Sequence, residues 1–526
     1  MDNQKIIRSA GVVGFFVLLS RLGGLVRDMA FAAFFGSTLA MDAFVVAFTI
    51  PNLFRGLFGE GALSSAFVPI FSESLEKQPR STVWQFAANM FSFLSLTLAA
   101  LVALGILLAS LALIGLSLSP RLELILELLR IMLPYMFFIC LTAFFAAMLN
   151  ALRRFALPAA APVVLNLIMI AALFLICARL PAEGVGRIFV VAWSVIVAGM
   201  VQAGMLLPQL ARCGFRLRPT MDFHDPRVRR VGQLMLAAII GVGVTQVNVL
   251  LNRVVAVLIG EGAPSYLYYA ERLIYFPLGI FATALGTILL PAFSGYTAQA
   301  RVDLLRETLN NSLRQLVFVM LPAAVGLLVL AKPIVRLIYQ HGDFSALATD
   351  MTTLALQCYA PGLLVFSLLK VFIPVFYAQQ DMKTPVKIGL LATALNVVLM
   401  LILMWPLKHA GIALASVLSA SVQVMIMGFL VHRRVGSPGW PNIFSATLRM
   451  AAAAALMALA ARWVYESLAQ ASWLRAQPDI VWQIAPLLIS MVVAVLVYGL
   501  AATVCRCAEL GELWTGLRHK AVERRA

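Results

Sequence analysis

Guanidinium and carboxylate groups interrupt several apolar segments of this chain, and the chemistry they offer is anion binding. Arg21, Arg27 and Asp28 lie about midway along the first segment and beyond, Asp42, Arg55 and Glu60 in the second, Arg253 in the seventh, and Glu271 with Arg272 in the eighth. An ionised group at the centre of a membrane helix costs at least ~2.5–3.5 kcal/mol, so it persists only where it faces water, protein or a partner. Arg21 and Asp28 are seven residues apart and share one helical stripe, with Arg27 about a third of a turn away. Arg21 with Asp28, Arg55 with Glu60 or Asp42, and Arg272 with Glu271 could be neutralising pairs that staple helices together. Facing lipid, the five arginines would together cost over ~12 kcal/mol, so a shared, wet, cationic cavity accounts for them with fewer assumptions. Thr245, Asn248 and Asn252 add a polar stripe at i, i+3 and i+7 before Arg253, and Asn248, Asn252 and Arg253 are candidate cavity-lining residues. Guanidinium forks suit phosphate oxygens, which makes a phosphorylated cargo the expectation.

No motif supports chemistry on that cargo. The sequence has no phosphate-binding glycine-rich loop with Lys-Ser/Thr and no His-Glu-x-x-His, and its five histidines (224, 341, 409, 432 and 519) fall in loops or at helix ends. Asp222, His224 and Asp225 read as a solvated turn, so neither an enzyme, a cofactor nor a metal is expected. Lys370, near one end of its segment, reads as a snorkelling interfacial residue.

The elements that must position these groups are membrane helices. Hydrophobic residues make up 62% of the 526 and charged residues 12%, far from a soluble composition. The apolar stretches are long enough to cross a hydrocarbon core about 30 Å thick. They run approximately over 6–34, 39–71, 83–117, 124–151, 158–180, 186–211, 229–260, 265–294, 308–331, 347–378, 385–406, 410–432, 443–469 and 480–505. The expected fold is an all-α polytopic membrane protein of about fourteen transmembrane helices. Pro51 and the cluster Gly56, Gly59 and Gly61 predict a kinked second helix. The first helix, with Arg21 and Arg27 and no small-residue cleavage site, reads as retained rather than as a signal peptide.

The formal net charge of +17 would suggest nucleic acid in a soluble chain. Here the basic residues collect in alternate connectors, including Lys77 and Arg80, Arg153 and Arg154, and Arg433 and Arg434. The positive-inside bias places both termini in the cytoplasm and excludes a nucleic-acid partner as the reason for the charge. Six cysteines show no paired framework, and Cys505-Arg506-Cys507 reads as interfacial thiols.

The longest polar connector, 212–230, separates six helices from the next six. At an offset of 222, Ala62, Leu63, Pro69, Phe71 and Ser72 match Ala284, Leu285, Pro291, Phe293 and Ser294, while Pro158 and Pro385 open helices 5 and 11. Both pairs link helix n with helix n+6. They predict a six-helix lobe over 1–220, a second over 221–438, a central cavity, and two added helices with a tail over 439–526.

The runs SRLGGLVRDMAFAAFFG (20–36), MDAFVVAFTIPNLFRGLFGEGALSSAFVPIF (41–71), YYAERLIYFPLGIFATALGTILLP (268–291) and QQDMKTPVKI (379–388) resemble the MurJ/MviN lipid II flippases of the multidrug/oligosaccharidyl-lipid/polysaccharide exporter superfamily. The resemblance extends through essentially all the helices. It implies export of the undecaprenyl-diphosphate-linked peptidoglycan precursor, lipid II, across the bacterial inner membrane by alternating access. It places substrate-binding roles on Arg21, Arg27, Asp28, Asp42, Arg55, Glu60, Glu271 and Arg272. Membrane lipids and cell-wall synthesis proteins are the further implied partners. Gly56 stands where some members carry a second arginine. Helices 7 and 11 offer Gln246, Asn248 and Asn396 where sodium-coupled members carry acids. The competing functions are export of another polyprenyl-diphosphate-linked oligosaccharide, or a non-transporting cell-wall scaffold.

Overall fold

The computed structural model describes residues 3–58, 63–181, 185–216, 220, 222, 225–475 and 479–511. All regular structure among them is helical. By packing, the chain forms two compact units. The first holds the described residues up to Ser265 together with His341–Phe344; the second holds Tyr266–Gln340 and the described residues from Ser345 onward.

In the first unit the helices are α1 (Asn3–Phe35), α2 (Leu39–Leu57), α3 (Leu63–Lys77), α4 (Arg80–Gly115), α5 (Pro120–Ala151), α6 (Ala156–Ala171), α7 (Gly186–Arg212) and α8 (Pro226–Ile259). A π turn and a 3-10 turn prolong α6 to Arg179. Proline opens α5 and α8, where it forfeits no internal hydrogen bond. Asp225 caps α8, accepting the Arg227 backbone N–H at 2.9 Å and pairing with the Arg227 side chain at 2.7 Å. The expected solvated turn is therefore not what Asp225 forms: it is buried, at 6% exposure, in its pairing with Arg227, whereas His224 lies outside the described residues.

The following helices are α9 (Ala263–Pro277), which starts at the end of the first unit, α10 (Thr283–Ala298), α11 (Val302–Val329), α12 (Ala331–Tyr339), α13 (Ala346–Ala378), α14 (Lys383–Leu407), α15 (His409–Val435), α16 (Trp440–Gln470), α17 (Ser472–Arg475) and α18 (Asp479–Val504). Within the second unit α11, α16 and α18 share a core of Val317, Met450, Ala453, Ala454 and Tyr498. The alanines let the helix backbones approach closely, and the Tyr498 hydroxyl donates to the Phe318 carbonyl at 2.9 Å. Beyond α18 the chain folds back, and the buried Glu509 forms an ion pair with Arg314 of α11.

Twelve spans among the described residues are long and apolar enough to cross a membrane. α1 and α8, with 33 and 34 residues, are also long enough, but they carry the central charges and amides. Large apolar side chains stay exposed along whole faces, such as Leu104, Leu107, Leu108 and Leu111 of α4, a surface suited to lipid rather than water. The chain is a multi-pass membrane protein.

Two expected single helices leave α geometry. The second does so at the π-helical Phe58, after the end of α2; residues 59–62, before α3, lie outside the described residues. The eighth is divided into α9 and α10 by a π turn at Leu278–Ala282. The repeat offset of 222 carries Phe58 onto Ile280, inside that turn. A second correspondence lies at the helix ends. Arg153 and Gln380 both adopt left-handed backbone, at φ 61° and 60°, and are separated by the same 227 residues as Pro158 and Pro385. Each proline is the third residue of its helix, α6 or α14.

Candidate functional site

In the first unit Arg27 and Asp28 are nearly enclosed, at 7% and 2% exposure. Arg27 donates from Nε and Nη2 to Asp28 Oδ1 at 3.1 and 2.8 Å, and from Nη1 to Asn166 Oδ1 at 3.0 Å. Asn166, on α6, in turn donates to the Ser20 carbonyl at 2.9 Å. One amide thus fixes the fork of Arg27 and ties α6 to α1. Gly23 faces it, but a Cβ there would meet Asn166 at an ordinary 3.5 Å, so close approach does not demand glycine. Arg21 is half-buried on the same helix.

Arg55 is half-buried on α2, its Nε held by Asn52 Oδ1 at 2.8 Å. The positive charges of Arg27 and Arg55 both act on the hydroxyl of Tyr135, a fully enclosed residue of α5. That hydroxyl has no hydrogen-bond partner among the described residues. Two of the expected cations therefore act electrostatically on one buried side chain. Gly56 packs against α8, and a Cβ there would lie 2.4 Å from Gln246 Nε2. The place of a second arginine is taken by this contact. On α8, Asn252 and Arg253 are buried and Asn248 half-buried.

Asp42 plays a different local part. It is fully buried, and its carboxylate accepts the Gly262 N–H at 2.6 Å, the Ser265 N–H at 3.0 Å and the Ser265 hydroxyl at 2.6 Å. These groups open α9, so Asp42 caps a helix 220 residues downstream and satisfies N–H groups that the helix itself cannot. Glu60 lies outside the described residues, as does the side chain of Thr245.

In the second unit Glu271 and Arg272 are half-buried on α9. Glu271 Oε1 accepts the Tyr359 hydroxyl at 3.0 Å, and the Arg272 guanidinium lies 4.6 Å from the centre of the Tyr268 ring, within cation–π range. Lys370 is exposed on α13, and the α13 backbone at that residue is approached so closely by Gly286 that a Cβ would sit 3.0 Å from the Lys370 carbonyl.

The sequence reading missed Asn166, Tyr135, Ser265 and Tyr359. Each is a lone polar residue in an apolar stretch or turn, without a periodic signal. The only available hint was the general cost of burying a polar group. All six cysteines are free thiols, and no metal-holding cluster occurs among the described residues.

Comparison with known proteins gives one consistent result. The family model described as lipid II flippase MurJ matches residues 31–477. A probable lipid II flippase MurJ of Vibrio cholerae is 34% identical over 488 residues, covering 90% of this chain and 91% of the relative. The lipid II flippase MurJ of Burkholderia cenocepacia is 34% identical over 473 residues, covering 88% and 90%. Among solved structures, a lipid II flippase MurJ in an inward closed conformation aligns with a TM-score of 0.77 at 25% identity, over 94% of this chain and 98% of that one. An inward-facing multidrug resistance MATE transporter aligns at 0.65 with 14% identity, over 81% and 98%, a likeness of fold. The all-helical membrane-spanning fold and these alignments converge: the chain belongs to the MurJ lipid II flippase family.

Proposed function

We propose that this protein moves lipid II, the undecaprenyl-diphosphate-linked peptidoglycan precursor, from the inner to the outer leaflet of the bacterial inner membrane. The observation that carries the reading is a pair of cations, the buried Arg27 and the half-buried Arg55, acting on one enclosed residue in a chain of this family. Arg21, Arg253 and Arg272 are further donors for the diphosphate, with Asn248 and Asn252 lining its path. Asp28 orients the Arg27 guanidinium, and Glu271, next in sequence to Arg272, holds the Tyr359 hydroxyl. Asp42 serves by shaping the start of α9. Glu60 is carried over from the resemblance alone.

The lipid-linked head needs an aqueous chamber, and its tail needs a path along apolar helices, for which α16 and α18 are suited. Rocking of two repeat-related lobes, 1–220 and 221–438, would expose the chamber to each side in turn. Both termini are cytoplasmic in this scheme, following the basic connectors. An inside-negative potential favours outward movement of anions by about 2.3 kcal/mol per charge per 100 mV, so a diphosphate dianion gains roughly twice that.

The test is flipping by the purified protein in liposomes, with lipid II compared against other polyprenyl-linked sugars. Arg272→Ala is expected to abolish the outer-leaflet appearance of lipid II while the protein still inserts. Equal flipping of all polyprenyl-diphosphate sugars would point to a broader exporter. Absence of flipping by an inserted wild type would point to a scaffold.

A further inference from the structure

We propose that the turn between α5 and α6 is a binding site for the phosphate group of a membrane lipid. A cleft of ≈ 370 Å³ opens there, within the size range of small-ligand sites. Arg153, Arg154 and Gln209 supply its polar wall and Val12, Phe155 and Leu157 its apolar one, with no carboxylate among the lining residues. The connector between the candidate spans Pro120–Ala151 and Ala156–Arg179 is four residues long, so the cleft sits where head groups and acyl chains meet. A cationic wall beside an apolar one matches the head of an anionic phospholipid, and basic pockets between membrane helices take such heads.

The corresponding turn in the second unit shows what belongs in such a place. The offset of 227 that pairs Arg153 with Gln380, both left-handed, pairs Arg154 with Asp381. The Asp381 carboxylate accepts the Thr384 N–H at 2.9 Å and the Thr384 hydroxyl at 2.6 Å, and meets Arg434 of α15 at 2.6 Å. The second unit thus fills its turn with an anion of its own. The first unit has the opposite charge, Arg154, at that position and an open cleft beside it, a place that suits an anion. The site stands independently of the cargo; only its assignment to the inner leaflet rests on the proposed orientation.

The test titrates the full-length, delipidated protein with phosphatidylglycerol, phosphatidylcholine, undecaprenyl diphosphate and inorganic phosphate, counting retained molecules by native mass spectrometry. Wild type is expected to retain one phosphatidylglycerol about tenfold more tightly than phosphatidylcholine, as two cations near a charged head group imply. Arg154→Gln and Arg153→Gly should each lose that preference. Glycine suits the left-handed backbone at residue 153, so the second variant decides the matter if the first fails to fold. Preferential retention of undecaprenyl diphosphate, lost in the same variants, would support the site with the cargo lipid as the source of phosphate. Retention of phosphatidylglycerol unchanged in Arg153→Gly, or binding of inorganic phosphate alone, would overturn the proposal. Flipping is not the readout, so failure of the transport reading leaves this result interpretable.

Discussion

Removing Arg27 alters folding as well as transport, because it takes two hydrogen-bond donors and their positive charge away from the Asp28 carboxylate, which is buried at 2% exposure. Breaking one side of a buried pair costs about 3–5 kcal/mol, so Arg27→Ala should lower the thermal midpoint of the detergent-purified protein sharply. Arg27→Ala with Asp28→Asn should recover most of that loss and still fail to flip lipid II. Recovery of flipping in the double variant would show that Arg27 serves structure alone. Tyr135→Phe tests the same neighbourhood from the other side. Its hydroxyl has no partner among the described residues, and an unsatisfied buried hydroxyl costs about 1–3 kcal/mol. The phenylalanine variant is therefore expected to melt at the same temperature or higher, whereas a lower midpoint would mean that the hydroxyl is satisfied in the membrane. At this scale the sequence revealed the charged residues through their cost in hydrocarbon. It did not reveal Asn166, whose partner Arg27 lies 139 residues away and whose role has no local spacing.

Helices and turns impose their own requirements. Gly36 and Gly342 both have left-handed backbone, at φ 54° and 56°. A Cβ on Gly36 would come within 2.2 Å of the Asp343 carbonyl, and one on Gly342 within 2.2 Å of the Ala33 carbonyl. The Asp343 N–H donates to Ala33 at 3.0 Å across the same contact. Since backbone on both sides blocks the added atom, alanine at either position should lower the thermal midpoint, and Gly23→Ala, with ordinary contacts, should not. The turn before α14 predicts a pH effect. The Thr384 hydroxyl and N–H, with Arg434, hold the Asp381 carboxyl well below its usual range. The folded protein therefore binds that proton more weakly than the unfolded chain. Its stabilisation is present above about pH 4 and is lost on further acidification. Asp381→Asn should be less stable than wild type at neutral pH, and the difference should shrink toward acid pH; a constant difference would contradict the assignment. The kink expected near Gly56–Gly61 falls largely on residues outside the described ones, and the described part shows only that α geometry ends at the π-helical Phe58. The π turn in the eighth segment was not legible from Pro277, because proline at a helix end and proline before a π turn read alike.

At the scale of the whole molecule, apolar runs and alternating basic connectors made most of the helical course readable. The cutoff between spanning and non-spanning helices blurred at α1 and α8, where the residues suited to anion binding dilute the apolar signal. If the potential assists export, collapsing an inside-negative potential in proteoliposomes should slow the outward appearance of lipid II. Unchanged transport would direct attention to an ion or proton partner instead. The return of the chain after α18 has a practical corollary for protein engineering. Glu509, at 1% exposure, neutralises Arg314 from a segment that sequence inspection would class as a dispensable tail. Deletions that stop short of it would leave a guanidinium stranded against the α11–α16–α18 core, so truncations and fusions should leave the chain intact through Glu509.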